Sequence, residues 1–243
     1  MDFSLLSCEE FSKTGLKVLQ DKSAFCFGLD AVLLADFAHA RKGDKIFDLG
    51  SGTGIIPLLM AKTNSALHFT ALEIQEKSAE IAAKNVEING LEDKIDVVCG
   101  DIKSVRSLFA PECADLVTAN PPYAKANSAR VNPDEAKSIA RHEILCNLED
   151  VVSGASYLLK SGGSFFMIHR PERLSEILVM LTKYRLEPKV LQLVQPFSDS
   201  APTMLLIEGR KNARAEIKIL PPLVIYKAKG EYSESVNRIY QNL

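Results

Sequence analysis

Three glycines at alternate positions follow a short apolar segment and precede a helical pattern. They belong to the run Asp48-Leu49-Gly50-Ser51-Gly52-Thr53-Gly54. Glycines at this spacing let the backbone turn tightly and approach a ligand without interference from Cβ atoms. A dinucleotide fingerprint has the different spacing G-x-G-x-x-G, and a carboxylate at Asp48 would repel its pyrophosphate. The run therefore predicts a nucleotide-type site for a cationic ligand. S-adenosylmethionine, which carries an ammonium and a sulfonium, has the required charge.

Two acidic residues at the ends of the next apolar segments extend this prediction. Glu73 lies 19 residues beyond Gly54, where a carboxylate can accept both ribose hydroxyls of an adenosine; the alternative is a solvated charge at a strand end. Asp101 follows the third apolar segment and can accept a hydrogen bond from the adenine amino group. The residues directly after these two acids, Ile74 and Ile102, are predicted cofactor contacts, and Ile102 is expected to pack on the adenine ring.

The run Asn120-Pro121-Pro122-Tyr123 follows the fourth apolar segment, with Lys125 close behind. Two prolines fix φ and remove two N–H donors. The Asn120 side-chain carbonyl and the Pro121 main-chain carbonyl can then act as paired acceptors for a planar NH2 group, while the Tyr123 ring stacks on a flat substrate. Asn120 is also a predicted cofactor contact. The alternative is a purely structural turn, because Asn-Pro commonly opens turns.

The elements that must position these residues alternate along the chain. Short apolar runs of strand length are separated by helical patterns, such as residues 75–89, which end at Gly90. This alternation implies an α/β fold with a mostly parallel sheet covered on both faces. Only residues 195–202 separate the last two strands, so these two are predicted to pair antiparallel. The predicted strands are residues 45–49, 67–73, 95–99, 115–119, 164–169, 186–194 and 204–208.

The whole chain, residues 1–243, is predicted to be a single domain. Its core spans residues 45–211, preceded by an extension of residues 1–44 with a helix at 30–38. A second extension, residues 212–243, contains strand-like segments at 216–220 and 223–226. Ser233 is positioned to cap a short final helix.

Composition limits the possible classes of protein. The chain is 47% hydrophobic and 25% charged, which excludes disorder as the dominant state. Its longest stretch without a charged residue, 49–61, is shorter than the roughly 18 residues of a membrane span, so no membrane partner is expected. Five widely spaced cysteines fit no zinc or disulfide pattern, which favours a reducing cytoplasm and no metal. The oligomeric state is left open, with a monomer favoured.

Charge is distributed unevenly along the chain. From Lys160 onward there are 13 Lys and Arg against eight Asp and Glu, although the whole chain has a net charge of −2. A basic C-terminal portion is a candidate to face a polyanion such as RNA, and ordinary solvated surface is the alternative. The candidate phosphate contacts are Lys125, Arg130, Arg170 and Arg173.

Together, the glycine run, Glu73 and Asn120-Pro121-Pro122-Tyr123 resemble the class I methyltransferases that act on exocyclic amino or amide nitrogens. Within that group the chain is similar to the bacterial tRNA1(Val) adenine-37 N6-methyltransferases, and the similarity includes residues 25–34 and Ala140-Arg141-His142-Glu143. At Ala124 a second aromatic residue is expected, so stacking is left to Tyr123.

The resemblance implies a Rossmann-like fold whose seven-stranded, mostly parallel sheet has an antiparallel C-terminal strand. It implies S-adenosylmethionine as cofactor and tRNA as partner. Asn120, Pro121 and Tyr123 would then be catalytic, with Pro122, Tyr123, Lys125 and Arg130 around the substrate.

Other functions and roles remain open. An N5-glutamine methyltransferase acting on release factors shares the turn chemistry, but the residues before Asp48 leave little room for that family's helical domain. A DNA adenine methyltransferase is disfavoured because no separate target-recognition domain is evident. A non-catalytic RNA- or cofactor-binding module would not need paired acceptors.

Four further residues allow two interpretations each. Asp30 is either a helix N-cap or a polar contact near the methionine end of the cofactor. Phe25 and Phe27 belong either to the core or to a lid. For His142, a surface position paired with its charged neighbours is favoured over a role as catalytic base.

Overall fold

A computed structural model of the chain describes residues 6–11, 14–21, 28–64, 67–121 and 147–242. The strands are β1 (Ser7–Phe11), β2 (Leu16–Gln20), β3 (Lys45–Leu49), β4 (His68–Glu73), β5 (Ile95–Cys99), β6 (Ala114–Ala119), β7 (Leu159–His169), β8 (Leu186–Gln195), β9 (Met204–Lys211), β10 (Lys218–Ile219), β11 (Leu223–Val224), β12 (Tyr226–Ala228) and β13 (Glu231–Tyr232). The helices are α1 (Leu29–Phe37), α2 (Ile55–Thr63), α3 (Glu76–Ile88), α4 (Val105–Leu108), α5 (Leu148–Leu158), α6 (Leu174–Lys183) and α7 (Glu234–Asn242). Two 3-10 turns span Ile102–Ser104 and Pro171–Arg173.

Seven strands form the central sheet in the order β8-β9-β7-β6-β3-β4-β5. Neighbouring strands from β7 to β5 are parallel, whereas β9 pairs antiparallel with both β7 and β8. The predicted Rossmann-like sheet, with one antiparallel strand late in the chain, is confirmed. The short strands β10 and β11 extend the sheet beyond β8, and both are shorter than the strand-like segments predicted for this region.

Apolar residues cover both faces of the sheet, as expected for parallel strands. Along β3, Ile46 belongs to a cluster with α1 and α2, while its neighbour Phe47 belongs to a cluster with α5 and α6. Edge-to-face aromatic pairs occur in both clusters. Phe37 contacts Phe166 at 5.7 Å between ring centroids, and Phe47 contacts Phe109 at 5.0 Å. The strand ends that carry the motifs are therefore anchored in a core on either side.

An antiparallel hairpin of β1 and β2 precedes α1, where the sequence predicted only a helix. Asn85 of α3 and Asn89, the residue that caps the C-terminus of α3, bind the second strand of the hairpin as a neighbouring strand would. Asn89 accepts from the Lys17 N–H at 2.9 Å and donates to the Lys17 carbonyl at 2.7 Å. Asn85 does the same for Leu19, at 2.7 and 3.1 Å. The sequence analysis did not predict this hairpin, and the contacts that attach it to the rest of the fold come from residues 66 and 72 positions away in sequence.

The final helix begins where the sequence predicted. The Ser233 hydroxyl accepts a hydrogen bond from the Val236 N–H at 3.2 Å, so it caps the first turn of α7. Within the described ranges, no helix has the length and apolar character needed to cross a membrane.

Candidate active site

The predicted motifs meet at one edge of the sheet. β3, β4, β5 and β6 are neighbouring parallel strands, so their carboxyl ends lie side by side. The glycine run leaves β3, Glu73 ends β4, Asp101 follows β5 and Asn120 follows β6. Ligands bind at this edge in open α/β sheets. The prediction that these loops share one edge is confirmed.

The glycines of the first loop have two different structural roles. Gly50 and Gly52 have φ values of +73° and +57°, which disfavour any residue with a Cβ, and no described atom lies within 4 Å of an added Cβ at either position. The loop therefore borders open space, as a ligand-binding loop requires. Gly54 shares the positive φ, at +82°, but there an added Cβ would also lie 3.3 Å from the Cβ of Ala82. The third glycine thus permits close packing against α3.

Glu73 holds the loop together from β4. Its Oε2 accepts the Gly52 N–H at 2.8 Å, and its Oε1 accepts the Gln75 N–H at 2.9 Å. The residue is 5% exposed. A carboxylate offers about four acceptor sites, so these two bonds leave capacity for ligand hydroxyls. Glu73 is therefore suited to fix the shape of the loop and to bind a ligand at the same time.

Asp48 lies beneath the loop and is buried, with 1% of its surface exposed. Its Oδ1 accepts the Thr118 hydroxyl at 2.7 Å. Burial raises the pKa of the Asp48 carboxyl to about 6, against the opposing effect of the Thr118 hydrogen bond. The buried Ser51 hydroxyl likewise opposes this rise through a hydrogen-bonding contact with the Asp48 carboxyl. A buried carboxylate beside an open loop fits a cationic ligand.

The other predicted cofactor contacts lie around this loop with local roles of their own. Asp101 Oδ1 accepts the Lys103 N–H at 2.9 Å and begins a 3-10 turn. An added Cβ at Gly154 would lie 3.3 Å from Ile102 Cγ2, so Ile102 packs closely against α5. Ile74 is half-buried at the end of β4. The carbonyl of Thr53 accepts a hydrogen bond from Asn85 at 3.0 Å, which connects the loop to α3.

Asn120 is fixed by a contact from α1. Its Nδ2 donates to Asp30 Oδ2 at 2.9 Å, and Asp30 is 8% exposed. Asp30 lies within the first turn of α1 and is not its N-cap, which is Gly28. The half-buried Pro121 follows Asn120. The remaining predicted site residues lie outside the described residues: Pro122, Tyr123, Lys125, Arg130, Phe25, Phe27, Ala124 and His142.

A buried histidine ends β7, the strand next to β6. His169 is 1% exposed, and its Nδ1 accepts the Arg170 N–H at 2.7 Å. Burial and the nearby Arg173 guanidinium lower the pKa of His169 to about 4, so the ring is neutral at physiological pH.

Arg173, a predicted phosphate contact, is 11% exposed and forms an ion pair with Glu176 at 2.5 Å. Arg170 is exposed at the same edge.

Sequence reasoning missed several polar residues that shape the site. Thr118, Asn85 and His169 are fully or almost fully buried. The sequence feature that they share is a polar residue on a strand or helix face that is otherwise apolar. Such a residue must find a hydrogen-bond partner, but the sequence does not indicate which one. Within the described ranges, no group of three or more His, Cys, Asp and Glu side chains is arranged to hold a metal ion.

Comparison with known proteins identifies the class. The family described as the methyltransferase small domain matches residues 16–183. A solved structure from Agrobacterium tumefaciens, described as a predicted O-methyltransferase, superposes with a TM-score of 0.71 at 23% identity, covering 88% of this chain and 96% of that one. The chain therefore belongs to the methyltransferase small domain family. Its fold is that of the class I methyltransferases, which use S-adenosylmethionine, and the predicted class and cofactor are confirmed.

Two curated relatives carry a more specific name. A Porphyromonas gingivalis protein is 31% identical over 237 residues, covering 94% of this chain and 92% of its own length. A Bacteroides thetaiotaomicron protein is 29% identical over 229 residues, covering 93% of this chain and 94% of its own. Both are named tRNA1(Val) (adenine(37)-N6)-methyltransferase.

Proposed function

We propose that this protein transfers a methyl group from S-adenosylmethionine to N6 of adenine 37 in tRNA1(Val). The observation that carries this proposal is the similarity to relatives of that name over more than nine-tenths of both chains. The site geometry supports it, because an asparagine follows β6 directly beside the strand that carries the glycine loop. We also propose a cytoplasmic location, which a tRNA substrate supports.

The loops after β3, β4 and β5 would hold the cofactor. Bound S-adenosylmethionine supplies a methyl group activated by its sulfonium. Glu73 has unused acceptor capacity for the ribose hydroxyls, and the open side of Gly50 and Gly52 leaves room for the ligand. The buried Asp48 carboxylate beside the loop favours a cationic group.

Asn120 and Pro121 would hold the target base. Their carbonyl oxygens can accept both hydrogens of the adenine amino group, which draws the nitrogen toward a tetrahedral shape and makes its lone pair available. Transfer forms the N–CH3 bond as the S–CH3 bond breaks, and the surplus amine proton leaves to water. No strong base is needed. Orientation and electrostatic stabilisation of the shifting positive charge supply the catalysis.

The test is nucleoside mass spectrometry of tRNA from a strain in which this gene is deleted. We expect one N6-methyladenosine to disappear and to return with the wild-type gene, but not with an Asn120→Ala gene. Purified protein should also methylate an unmodified tRNA1(Val) transcript, and not the same transcript with guanosine at position 37. Unchanged tRNA, together with loss of methylglutamine from release factors, would contradict the proposal in favour of a protein substrate.

A further inference from the structure

Asp30 and Asn120 meet although 90 residues separate them in sequence. Asn120 follows the central strand β6, while Asp30 lies in the first turn of α1, which packs over the sheet. Their hydrogen bond joins Asn120 Nδ2 to Asp30 Oδ2 at 2.9 Å. Since Asp30 is 8% exposed, this contact is largely removed from water. A hydrogen bond to a charged group in such surroundings is stronger than a neutral one.

The contact determines which way the Asn120 amide faces. An ionised carboxylate can only accept hydrogen bonds, so the amide must present its NH2 group to Asp30. The carbonyl Oδ1 is then on the other branch of the amide. Without a charged partner, an asparagine can reverse these two atoms at little cost, because they are nearly equal in size and shape.

The carboxylate also changes the charge on the amide. A hydrogen bond from Nδ2 to a negative group polarises the amide and increases the partial negative charge on Oδ1. An acceptor with more negative charge stabilises a donor nitrogen that becomes positive during transfer. Orientation and polarisation therefore act in the same direction.

A glycine beside Asp30 leaves space for the carboxylate. An added Cβ at Gly28 would lie 2.7 Å from Asp30 Oδ1, closer than any real contact allows. Gly28 has a φ of −112°, which other residues adopt without strain, so the backbone does not require glycine here. A side chain at position 28 would therefore require the Asp30 carboxylate to move.

We propose that Asp30 is a positioning residue, which orients and polarises the Asn120 amide so that Oδ1 accepts a hydrogen bond from the target amino group. This inference rests on the proposed methyl transfer to an amino nitrogen. Asp30 itself touches neither the cofactor nor the base in this proposal, and it acts through Asn120.

The test compares Asp30→Asn with the matched control Asp36→Asn. Asp36 is on the same helix, where burial raises the pKa of its carboxyl against the opposing effect of nearby His39. Single-turnover transfer should be measured at saturating cofactor and tRNA, with cofactor affinity and melting temperature determined on the same samples. We expect Asp30→Asn to slow transfer by about 10- to 100-fold, as for loss of one oriented active-site interaction. Cofactor affinity should stay within a few-fold of wild type, and Asp36→Asn should leave the rate unchanged.

Two further variants separate positioning from folding. Gly28→Ala keeps the charge of Asp30 but displaces its carboxylate, so its rate should fall between those of wild type and Asp30→Asn. In an Asn120→Ala background, Asp30→Asn should cost nothing further, because the group it positions is gone. Equal slowing in both backgrounds would overturn the proposal, as would a loss of cofactor affinity large enough to explain the slower rate.

A spectroscopic measurement tests the contact whatever the substrate is. The side-chain NH2 signals of Asn120 can be assigned by their disappearance in Asn120→Ala. We expect Asp30→Asn to shift these signals and Asp36→Asn to leave them in place. Unchanged signals in Asp30→Asn would overturn the positioning role. A shift combined with wild-type protein that methylates no tRNA would instead contradict the proposed function alone.

Discussion

The proposed cofactor side of the active-site edge, formed by the loop after β3, and the proposed target side, formed by Asn120, are fixed in different ways. On the cofactor side, the loop after β3 is held mainly by its neighbour in the sheet. Glu73 binds the Gly52 N–H, and the Leu72 carbonyl accepts the N–H groups of Gly50 and Ser51 at 2.9 and 3.0 Å. On the target side, Asn120 is fixed by Asp30, which reaches it from another layer of the fold.

Because of this difference, mutations on the two sides should affect different measurable properties of the protein. The Glu73 side chain accepts a hydrogen bond from the backbone of the loop after β3. A change in Glu73 should therefore alter both the fold of this loop and its affinity for ligand. A side-chain contact with Asp30 orients Asn120, so a change there should affect turnover while leaving the loop after β3 intact. Measurements of stability, cofactor affinity and rate on the same variants can test this separation.

The largest expected effect is on the target side. Asn120→Ala removes one acceptor for the target amino group, and turnover should fall at least 100-fold, about 2.7 kcal/mol in the barrier. Cofactor affinity should remain within a few-fold of wild type, because the glycine loop, Glu73 and Asp101 are unchanged. Single-turnover kinetics and calorimetry measure the two quantities. A folded Asn120→Ala protein that methylates RNA at the wild-type rate would end the proposed mechanism.

A smaller effect, of a different kind, is expected on the cofactor side. Glu73→Ala should weaken S-adenosylmethionine binding, since each hydrogen bond to a charged group contributes about 1.5–3 kcal/mol. It should also lower the melting temperature, because the Gly52 and Gln75 N–H groups lose their partner. Asp101→Ala removes the other predicted cofactor carboxylate, so it tests the adenine assignment separately and does not serve as a control. Unchanged calorimetric affinity in Glu73→Ala would refute the ribose assignment.

Single basic residues should affect RNA binding only a few-fold. Arg170 is exposed at the end of β7, on the active-site edge, whereas Lys160 lies at the start of β7, on the opposite edge, paired with Asp115 at 2.6 Å. If Arg170 contacts a phosphate, Arg170→Ala should reduce the dependence of log affinity on log salt by about one. Lys160→Ala should leave that slope unchanged, and cofactor affinity should barely respond to salt. Equal slopes in both variants would remove Arg170 from the RNA surface.

The smallest expected effect is the release of a proton from Asp48 when the cofactor binds. Because burial raises its pKa in the folded state to about 6, the stability that Asp48 contributes is present at low pH and is lost as pH rises from about 4 through 6. A cationic ligand favours the ionised carboxylate, so cofactor binding at pH 6 should release about half a proton. Calorimetry in buffers of different ionisation enthalpy measures this release. Asp48→Asn should abolish it, and equal release by both proteins would contradict a contact with positive charge.

Local patterns were sufficient to predict the sheet and the loops at its edge. Parallel strands separated by helices place their carboxyl ends together, so the positions of Gly52, Glu73 and Asp101 followed from the order of elements alone. Contacts between distant side chains could not be predicted in this way. The bond between Asp30 and Asn120, and the attachment of the hairpin through Asn85, depend on how separate layers pack. A sequence indicates that such residues are polar, but it does not identify their partners.

The position of β9 has a consequence for the synthesis of the chain. β9 lies between β7 and β8, yet it is the last of these three strands to leave the ribosome. Until residue 211 has been translated, neither β7 nor β8 can complete its pairing on that side, and each presents an unpaired edge. The nascent chain therefore acquires this half of the sheet by insertion of a late strand between two earlier ones. Ribosomal pausing before Met204 would prolong the interval in which these edges are open to another chain.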